Sequence, residues 1–495
     1  MVPSQLYRPS LALLTDFYQV TMAYAAWKTG IAEREAAFSL SFRKNPFQGG
    51  FSVAAGLAHA VDFLVGHRFE ASDLEYLAAQ RGADGRPLFE SAFLDNLERL
   101  RIDCDLDAVP EGTAVFPHQP VLRVRGPIIP CMLLETPLLN IVNFQTLVAT
   151  KAARLCLAAR GDPVFEFGLR RAQGIDGGLA ASRAAYLGGC AGTSNVLAGK
   201  LYGIPVKGTH AHSWVMLFDD ELEAFLAYAS ALPANAVLLV DTYRSLDGVG
   251  RAIEAGRALR ARGHALAGIR LDSGDLAYLS VEARRLLDAA GFQGTAILAS
   301  NELDEGIIRS LKEQGAAVSA WGVGTRLVTG HGEPALGGVY KLGAVRMRPG
   351  APWTYRVKVS EQAAKTSVPG ILQVRRYENE RGFLADVVYD EELGLPEAPE
   401  MVDPLDMTRR RRIPAGTPGA DLLAPVLRRG EPVAPGPPLE ESRRRTAAQL
   451  QRLHPGLKRF ENPHQYPLGL ERGLFDLRTR LVLEARGAGA RAEAP

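Results

Sequence analysis

The chain has 495 residues, 47% of them apolar, with 57 Lys and Arg against 55 Asp and Glu for a formal charge of +2. That length supports a large core and about two to four domains. The near balance of charge gives no reason to expect nucleic acid or a membrane surface as a partner, so the substrate must be argued locally. Residues 11–14 make a short apolar patch, but Asp16 interrupts it and no small-residue cleavage site follows, so no signal peptide is expected. Residues 13–27 read as a helix, whereas 37–42 and 113–124 alternate like strands, so 1–130 is expected to form an α/β domain. The most apolar run, 127–144, is broken by Pro130, Glu135, Pro137, Asn140 and Asn143 and reads as buried core rather than a membrane span. Cys104, Cys131, Cys156 and Cys190 lack CxxC spacing, which argues against a disulfide framework or zinc knuckle and for a reducing cytoplasm.

From about residue 160 to 330, short apolar runs recur roughly every 30 residues, each followed by a Gly- or Asp-bearing turn and a helical pattern. The runs are 164–167, 204–206, 236–240, 267–269, 296–299 and 317–321, and the helical patterns are 249–262, 276–290 and 305–314. This is the rhythm of βα units, and it predicts parallel strands with covering helices over a domain bounded at 131–340. Segments 355–359 and 371–376 look like strands returning to the N-terminal domain within 341–400. Residues 401–495 turn rich in Pro and Arg and read as an extension, with 485–495 expected to be disordered.

Polar residues gather immediately after the apolar runs, at the C-terminal ends of the predicted strands, where barrel enzymes place their chemistry. Gly168-Leu169-Arg170-Arg171 follows Phe167, so an aromatic face sits beside positive charge, a combination suited to a planar anion. Core packing is the commoner fate of a lone strand aromatic. Arg270-Leu271-Asp272-Ser273-Gly274-Asp275 sets a guanidinium and two carboxylates on one strand end, fit for sugar hydroxyls, a metal and an anion, or for a self-neutralising salt-bridge cluster. Asp241 adds a carboxylate that could support Mg²⁺ directly or through water. Gly322-Val323-Gly324-Thr325-Arg326 offers backbone N–H groups to a phosphate, with Arg326 adjacent, although a glycine turn can serve chain reversal alone.

His210 and His212, in Gly208-Thr209-His210-Ala211-His212-Ser213-Trp214, share a face if the segment is extended. Such a histidine can be a general base, a metal ligand or a phosphoryl carrier, and zinc lacks a third ligand of suitable spacing. The basic runs 409–412 and 443–445 have no interleaved aromatics and read as solvated surface.

Taken together, these segments resemble nicotinate phosphoribosyltransferase. The resemblance also rests on 14–22 (Leu-Thr-Asp-Phe-Tyr-Gln-Val-Thr-Met), 42–47 (Phe-Arg-Lys-Asn-Pro-Phe), Asn143-Phe144-Gln145-Thr146, Phe165-Glu166-Phe167-Gly168, Gly192-Thr193-Ser194-Asn195 and, beyond residue 400, 462–467. It implies a type II phosphoribosyltransferase fold, an irregular α/β barrel plus an α/β domain formed from both ends of the chain. It further implies transfer of phosphoribosyl from phosphoribosyl pyrophosphate to nicotinate, giving nicotinate mononucleotide and pyrophosphate. ATP hydrolysis, with Mg²⁺, would be coupled through a phosphorylated histidine, which falls on His212; His210 occupies a place the family does not reserve for histidine. If protonated, His210 would lower the basicity of His212.

Carried onto this chain, the resemblance sandwiches the pyridine ring between Phe167 and Tyr18 of the partner subunit in a homodimer, with Arg270 at the carboxylate side of the base. Arg170 would hold phosphoribosyl pyrophosphate, Gly322, Gly324 and Thr325 its 5-phosphate, and Asp241 and Asp272 the ribose and Mg²⁺. Nicotinamide-using relatives carry an aspartate where this chain has Ser194; a neutral serine tolerates a carboxylate, which favours the acid. The alternatives are nicotinamide or quinolinate as the base, a phosphate-binding barrel isomerase or aldolase, for which no Lys or Glu stands out among these strand ends, and a non-catalytic binding protein.

Overall fold

Strands covered on both faces need near-continuous apolar side chains, and in the middle of the chain five of the six strands meet that need with segments only three or four residues long. The structure, a computed structural model, describes residues 10–362 and 365–492. It divides into two units, one from Met1–Leu147 with Ala335–Pro495 and the other from Val148–Pro334.

In the Val148–Pro334 unit a six-stranded parallel sheet runs in the order Gly192–Thr193, Val164–Glu166, Ala320–Val323, Ala296–Ala299, Gly268–Leu271, Val237–Leu239. Helices Ser245–Ala261, Leu276–Ala289 and Glu305–Glu313 fall between the later strands, as their periodicity predicts. Asp275 and Asp304 start two of them, accepting from the N–H groups of Tyr278 (3.1 Å) and Ile307 (2.9 Å). Helix 245–261 packs so closely that a Cβ on Gly248 would stand 2.0 Å from the Val240 carbonyl oxygen.

The run 204–206 does not become a strand of this sheet. Pro205 has no N–H to give, and the segment joins only through a bridge from Val206 to Thr193, with Thr193 N–H donating to the Pro205 carbonyl at 3.0 Å. The strand in its place, Gly192–Thr193, carries no apolar run; Gly192 is required because a Cβ there would lie 2.5 Å from the Pro205 oxygen. At the opposite edge, Val240 N–H donates inward to Arg270, so Leu239 N–H points off the sheet, and Nε2 of His210 accepts it at 3.1 Å. A side chain therefore closes the seam where a backbone ladder would otherwise run, and this makes the α/β barrel irregular.

The other unit draws its strands from distant parts of the chain. Its seven-stranded antiparallel sheet runs Thr354–Tyr355, Gly338–Arg346, Glu35–Phe42, Leu122–Pro127, Asp105–Ala108, Ala424–Arg428, Glu431–Pro432. A second, six-stranded sheet is built wholly from residues after 370, in the order Arg410–Arg412, Glu400–Val402, Leu468–Glu471, Gly382–Asp390, Leu372–Asn379, Gly419–Asp421. The boundaries thus differ from the sequence expectation. Residues 131–147 belong to this unit rather than the barrel unit, and 401–495 is no appendage, since its strands pair in both sheets through backbone bonds that composition does not reveal. The final helix, Arg472–Ala492, runs through the start of the segment expected to be disordered, whose last three residues, 493–495, lie outside the described residues. The apolar run 127–144 forms helix Ile128–Leu133 and the start of Glu135–Ala159; among the described residues no helix is long and apolar enough to cross a membrane.

Arg376 and Asp386 form a two-pronged ion pair (2.8 and 2.6 Å) between adjacent strands, with side-chain exposures of 4% and 0%. Phe116 and Tyr466 stack beside it, and the Tyr466 hydroxyl donates to Asp386 at 2.9 Å. Arg376→Met should destabilise the protein by about 3–5 kcal/mol in denaturant titrations, because it leaves a buried carboxylate without its cation; a loss below about 1 kcal/mol would show that the pair is dispensable. In the same unit His67 is buried edge-on to Phe63 and Phe69, and desolvation, partly opposed by a backbone hydrogen bond and by Asp73, pushes its pKa from 6.5 to about 4. The unfolded chain binds this proton first, so the contribution of the neutral ring is complete above pH 6.5 and lost as pH falls toward about 4. The thermal midpoint should drop between about pH 7 and pH 4.5, and drop less in His67→Phe; parallel curves for the two proteins would clear His67 of the effect.

Candidate active site

The strand ends of the Val148–Pro334 unit open into a cavity of about 480 Å³. Phe167, Arg170, Ser194, Arg270, Asp272, Gly322, Gly324 and Thr325 all line it, with Arg171, Thr209, His210, Ser300, Asn301 and Glu302. Residues scattered over 160 positions converge because parallel strands share one direction, so their C-terminal ends form one rim.

Glu166, the last residue of its strand and fully buried, organises one wall. Its carboxylate accepts from Gly168 N–H, from the Ser182 hydroxyl (2.8 Å) and from the Thr193 hydroxyl (2.5 Å). Two turns are thereby tied to one carboxylate: the one that carries Phe167 and Arg170, and the one that carries Ser194. Asn195 serves the scaffold, capping helix Val196–Tyr202 at the N–H of Ala198. The Phe167 ring lies so close to the facing strand that a Cβ on Gly322 would stand 2.7 Å from it. Gly322 is therefore needed for the aromatic wall. Arg326, expected to assist a phosphate, pairs instead with Asp304 and lies near Glu302, and it is not among the cavity-lining side chains.

Behind the opposite wall lies Asp241, buried and not itself a cavity-lining residue; it accepts from Asp272 N–H and the Ser273 hydroxyl, both at 2.7 Å, through Oδ2. Its buried Oδ1 has no hydrogen-bond partner among the described residues. Asp272 accepts from the Ser300 hydroxyl. Asp275, the second carboxylate of its motif, is spent on the helix cap described above. Arg270 donates through Nη1 to the Thr209 hydroxyl at 2.5 Å, while its buried Nε is unpartnered among the described residues. Burial lowers its pKa, with Asp272 and Asp241 opposing and Arg170 reinforcing that shift, so an anion in the cavity would stabilise the charged guanidinium.

His212 begins the short helix His212–Val215 at the rim. Its Nδ1 lies 3.2 Å from the Thr242 hydroxyl oxygen and its Nε2 3.9 Å from Asp272 Oδ2, and its side chain is 41% exposed. His210 differs in kind. It is buried, desolvation pushes its pKa to about 4 with Arg270 and His212 adding to the effect, and an Nε2 that accepts Leu239 N–H places the proton on Nδ1. The condition under which His210 would lower the basicity of His212, a protonated ring, is thus not met near neutral pH, where His210 is uncharged. Tyr18 sits on helix Phe17–Lys28 of the other unit, 47% exposed.

Sequence reasoning gave Glu166, Thr209, Thr242 and Ser300 no role of their own, although all four stand in or beside the strand-end segments it singled out. Only their places beside strand ends could have signalled them. It also missed a second cavity, of about 60 Å³, in the other unit, where Arg43, His118, Lys341, Lys365, Arg478 and Ser367 meet with no lining carboxylate among the described residues, an environment that favours an anion. Its residues come from six separate stretches of chain, which hides it from any local pattern.

Sequence profiles match in order along the chain: the nicotinate phosphoribosyltransferase (NAPRTase) N-terminal domain over 13–143, the nicotinate phosphoribosyltransferase (NAPRTase) family over 163–347, and the nicotinate phosphoribosyltransferase C-terminal domain over 373–478. Nicotinate phosphoribosyltransferase of Bacillus subtilis is 38% identical over 482 residues, covering 96% of each chain. One from Mycobacterium tuberculosis is 43% identical over 413 residues, covering 83% of this chain and 84% of its own. Among solved structures, human nicotinic acid phosphoribosyltransferase is similar at a TM-score of 0.81 and 34% identity, covering 94% of this chain and 99% of that one. The fold is also shared with nicotinate-nucleotide pyrophosphorylase from Pyrococcus furiosus, at a TM-score of 0.67 and 22% identity, covering 89% and 95%. With its domains matched in order and its relatives aligned over nearly their whole length, this chain belongs to the nicotinate phosphoribosyltransferase family.

Proposed function

We propose that the chain transfers phosphoribosyl from phosphoribosyl pyrophosphate to nicotinate, releasing nicotinate mononucleotide and pyrophosphate, and couples this to ATP hydrolysis through His212. The observation that carries the reading is one cavity in which an aromatic face, a neutral serine, a desolvated arginine and the Asp272 carboxylate converge beside a half-exposed histidine, with the buried Asp241 bonded to the backbone of Asp272. Phe167 offers its ring to the pyridine, Ser194 accommodates the carboxylate, and Arg270 supplies the charge that its burial leaves wanting. Arg170 meets the pyrophosphate, and Gly322, Gly324 and Thr325 meet the 5-phosphate.

Breaking the C1–O bond develops positive charge on the ribose, so the carboxylates of Asp241 and Asp272 stabilise the transition state as the pyridine nitrogen attacks from the opposite face. The unpartnered Oδ1 of Asp241 and the nearby Asp272 fit Mg²⁺, which needs few protein ligands when substrate phosphates and water supply the rest. Mg²⁺ held there would neutralise the leaving pyrophosphate. With Nδ1–H donating to Thr242, Nε2 of His212 is the nucleophile toward the γ-phosphorus of ATP. An N–P bond forms as the bridging Pγ–O bond to ADP breaks, and water later cleaves the N–P bond to give inorganic phosphate and the free ring. Added negative charge at the rim would order the basic groups around phosphoribosyl pyrophosphate.

The active unit in this reading is a homodimer in which Tyr18 of the partner subunit covers the ring. Phe17, Tyr18 and Met22, all exposed on one helix, give a second copy an apolar face to cover. A reducing, cytoplasmic setting suits four free thiols, two of which, Cys104 and Cys131, lie 3.7 Å apart sulfur to sulfur without a disulfide.

Incubation with ATP, phosphoribosyl pyrophosphate and nicotinate, followed by mass spectrometry, should place phosphate on His212. Full ATP-stimulated turnover in His212→Ala would remove the residue from this role. Ser194→Asp should lower kcat/KM for nicotinate about tenfold or more, by setting one carboxylate against another, and improve use of nicotinamide. Unchanged preference among nicotinate, nicotinamide and quinolinate would show that position 194 does not read the base.

A further inference from the structure

We propose that His210 is a positioning residue for the phosphoryl step, holding His212 against Thr242 and Asp272 by pinning its segment to the barrel's edge strand. The inference rests on the role given to His212 above. Two histidines two residues apart make two side-chain rungs across the seam. His210 Nε2 accepts Leu239 N–H at 3.1 Å, and His212 Nδ1 meets the Thr242 hydroxyl at 3.2 Å, three residues further along the same strand end. Between those rungs, just past the end of the strand, lies Asp241.

The first rung is well fixed. The His210 ring is 7% exposed, edge-on to Tyr228 at 4.8 Å and 65°, with Phe225 at 6.0 Å. On its N-terminal side Thr209 receives Arg270 Nη1 and donates its own hydroxyl proton to the His210 carbonyl at 3.1 Å. His212 by contrast is half-exposed and sits 3.9 Å from Asp272, so its placement depends on the segment that carries it. Leu239 N–H is an edge donor aimed off the sheet, and a buried donor without an acceptor is costly. An imidazole with its proton on Nδ1 supplies that acceptor; an aliphatic side chain here would not, and the segment would move to let water in.

The test uses the full chain with His210→Leu, His210→Asn and His210→Gln, each alone and with His212→Ala, assayed with nicotinate and phosphoribosyl pyrophosphate in the presence and absence of ATP. Leu has no acceptor and Asn cannot reach; both should lower ATP-stimulated kcat about tenfold or more while KM for nicotinate moves less than about twofold. Gln, whose side-chain oxygen reaches further, should restore most of the loss. In the His212→Ala background the three should match His212→Ala alone. Wild-type ATP stimulation in a folded Leu or Asn variant overturns the inference, as does Gln performing no better than Asn, or an undiminished loss in the His212→Ala background. If melting shows that the Leu variant does not fold, the Asn and Gln pair decides. ATP stimulation surviving in His212→Ala would overturn the role of His212 and this inference together; its loss there with full retention in His210→Asn overturns this inference alone.

Discussion

A parallel sheet covered on both sides leaves polar side chains one place to stand, the ends of its strands, and the barrel's chemistry is arranged by that constraint. Strands of two to four residues carry little beyond the apolar groups they bury, so each change from apolar to polar marks the rim. Asp241, Asp272 and Ser194 sit at the strand ends for this reason, and Glu166, the last residue of its strand, is buried and satisfied by three donors instead. Where the sheet itself ends, the same need to satisfy backbone groups recruits the His210 ring.

Much of this was legible in sequence, for an identifiable reason. Runs such as 237–239 and 296–299 are apolar enough to be read without neighbours, and helix 276–289 has a clear charged face. Gly192–Thr193 was not legible, because its strand character comes from its neighbours, Phe165 and Glu166 on one side and Pro205 on the other, and not from its own residues. In the other unit the pairing rather than the strand was hidden: 37–42 reads as a strand, but Glu35–Phe42 pairs with Gly338–Arg346 across some 300 positions. Pairing partners at that separation leave no local trace.

At the site, residue type was legible and allegiance was not. Asp272 and Asp275 look alike in sequence, yet one faces the cavity and the other caps a helix. Gly322 was read as a phosphate glycine, and the structure gives it a nearer duty in the space taken by the Phe167 ring. Arg326 was read beside the same phosphate and is held by Asp304. Each difference turns on a partner brought near by the fold.

The interleaving of strands from both chain ends has a consequence for how the molecule is made. The barrel unit is a continuous stretch, so its contacts are complete once the ribosome has released residue 334. The central strand Glu35–Phe42, made long before, waits for Gly338–Arg346, and Asp105–Ala108 waits still longer for Ala424–Arg428. During synthesis the earliest part of the chain thus presents open strand edges while the middle is already folded, and it is the part most in need of protection from aggregation.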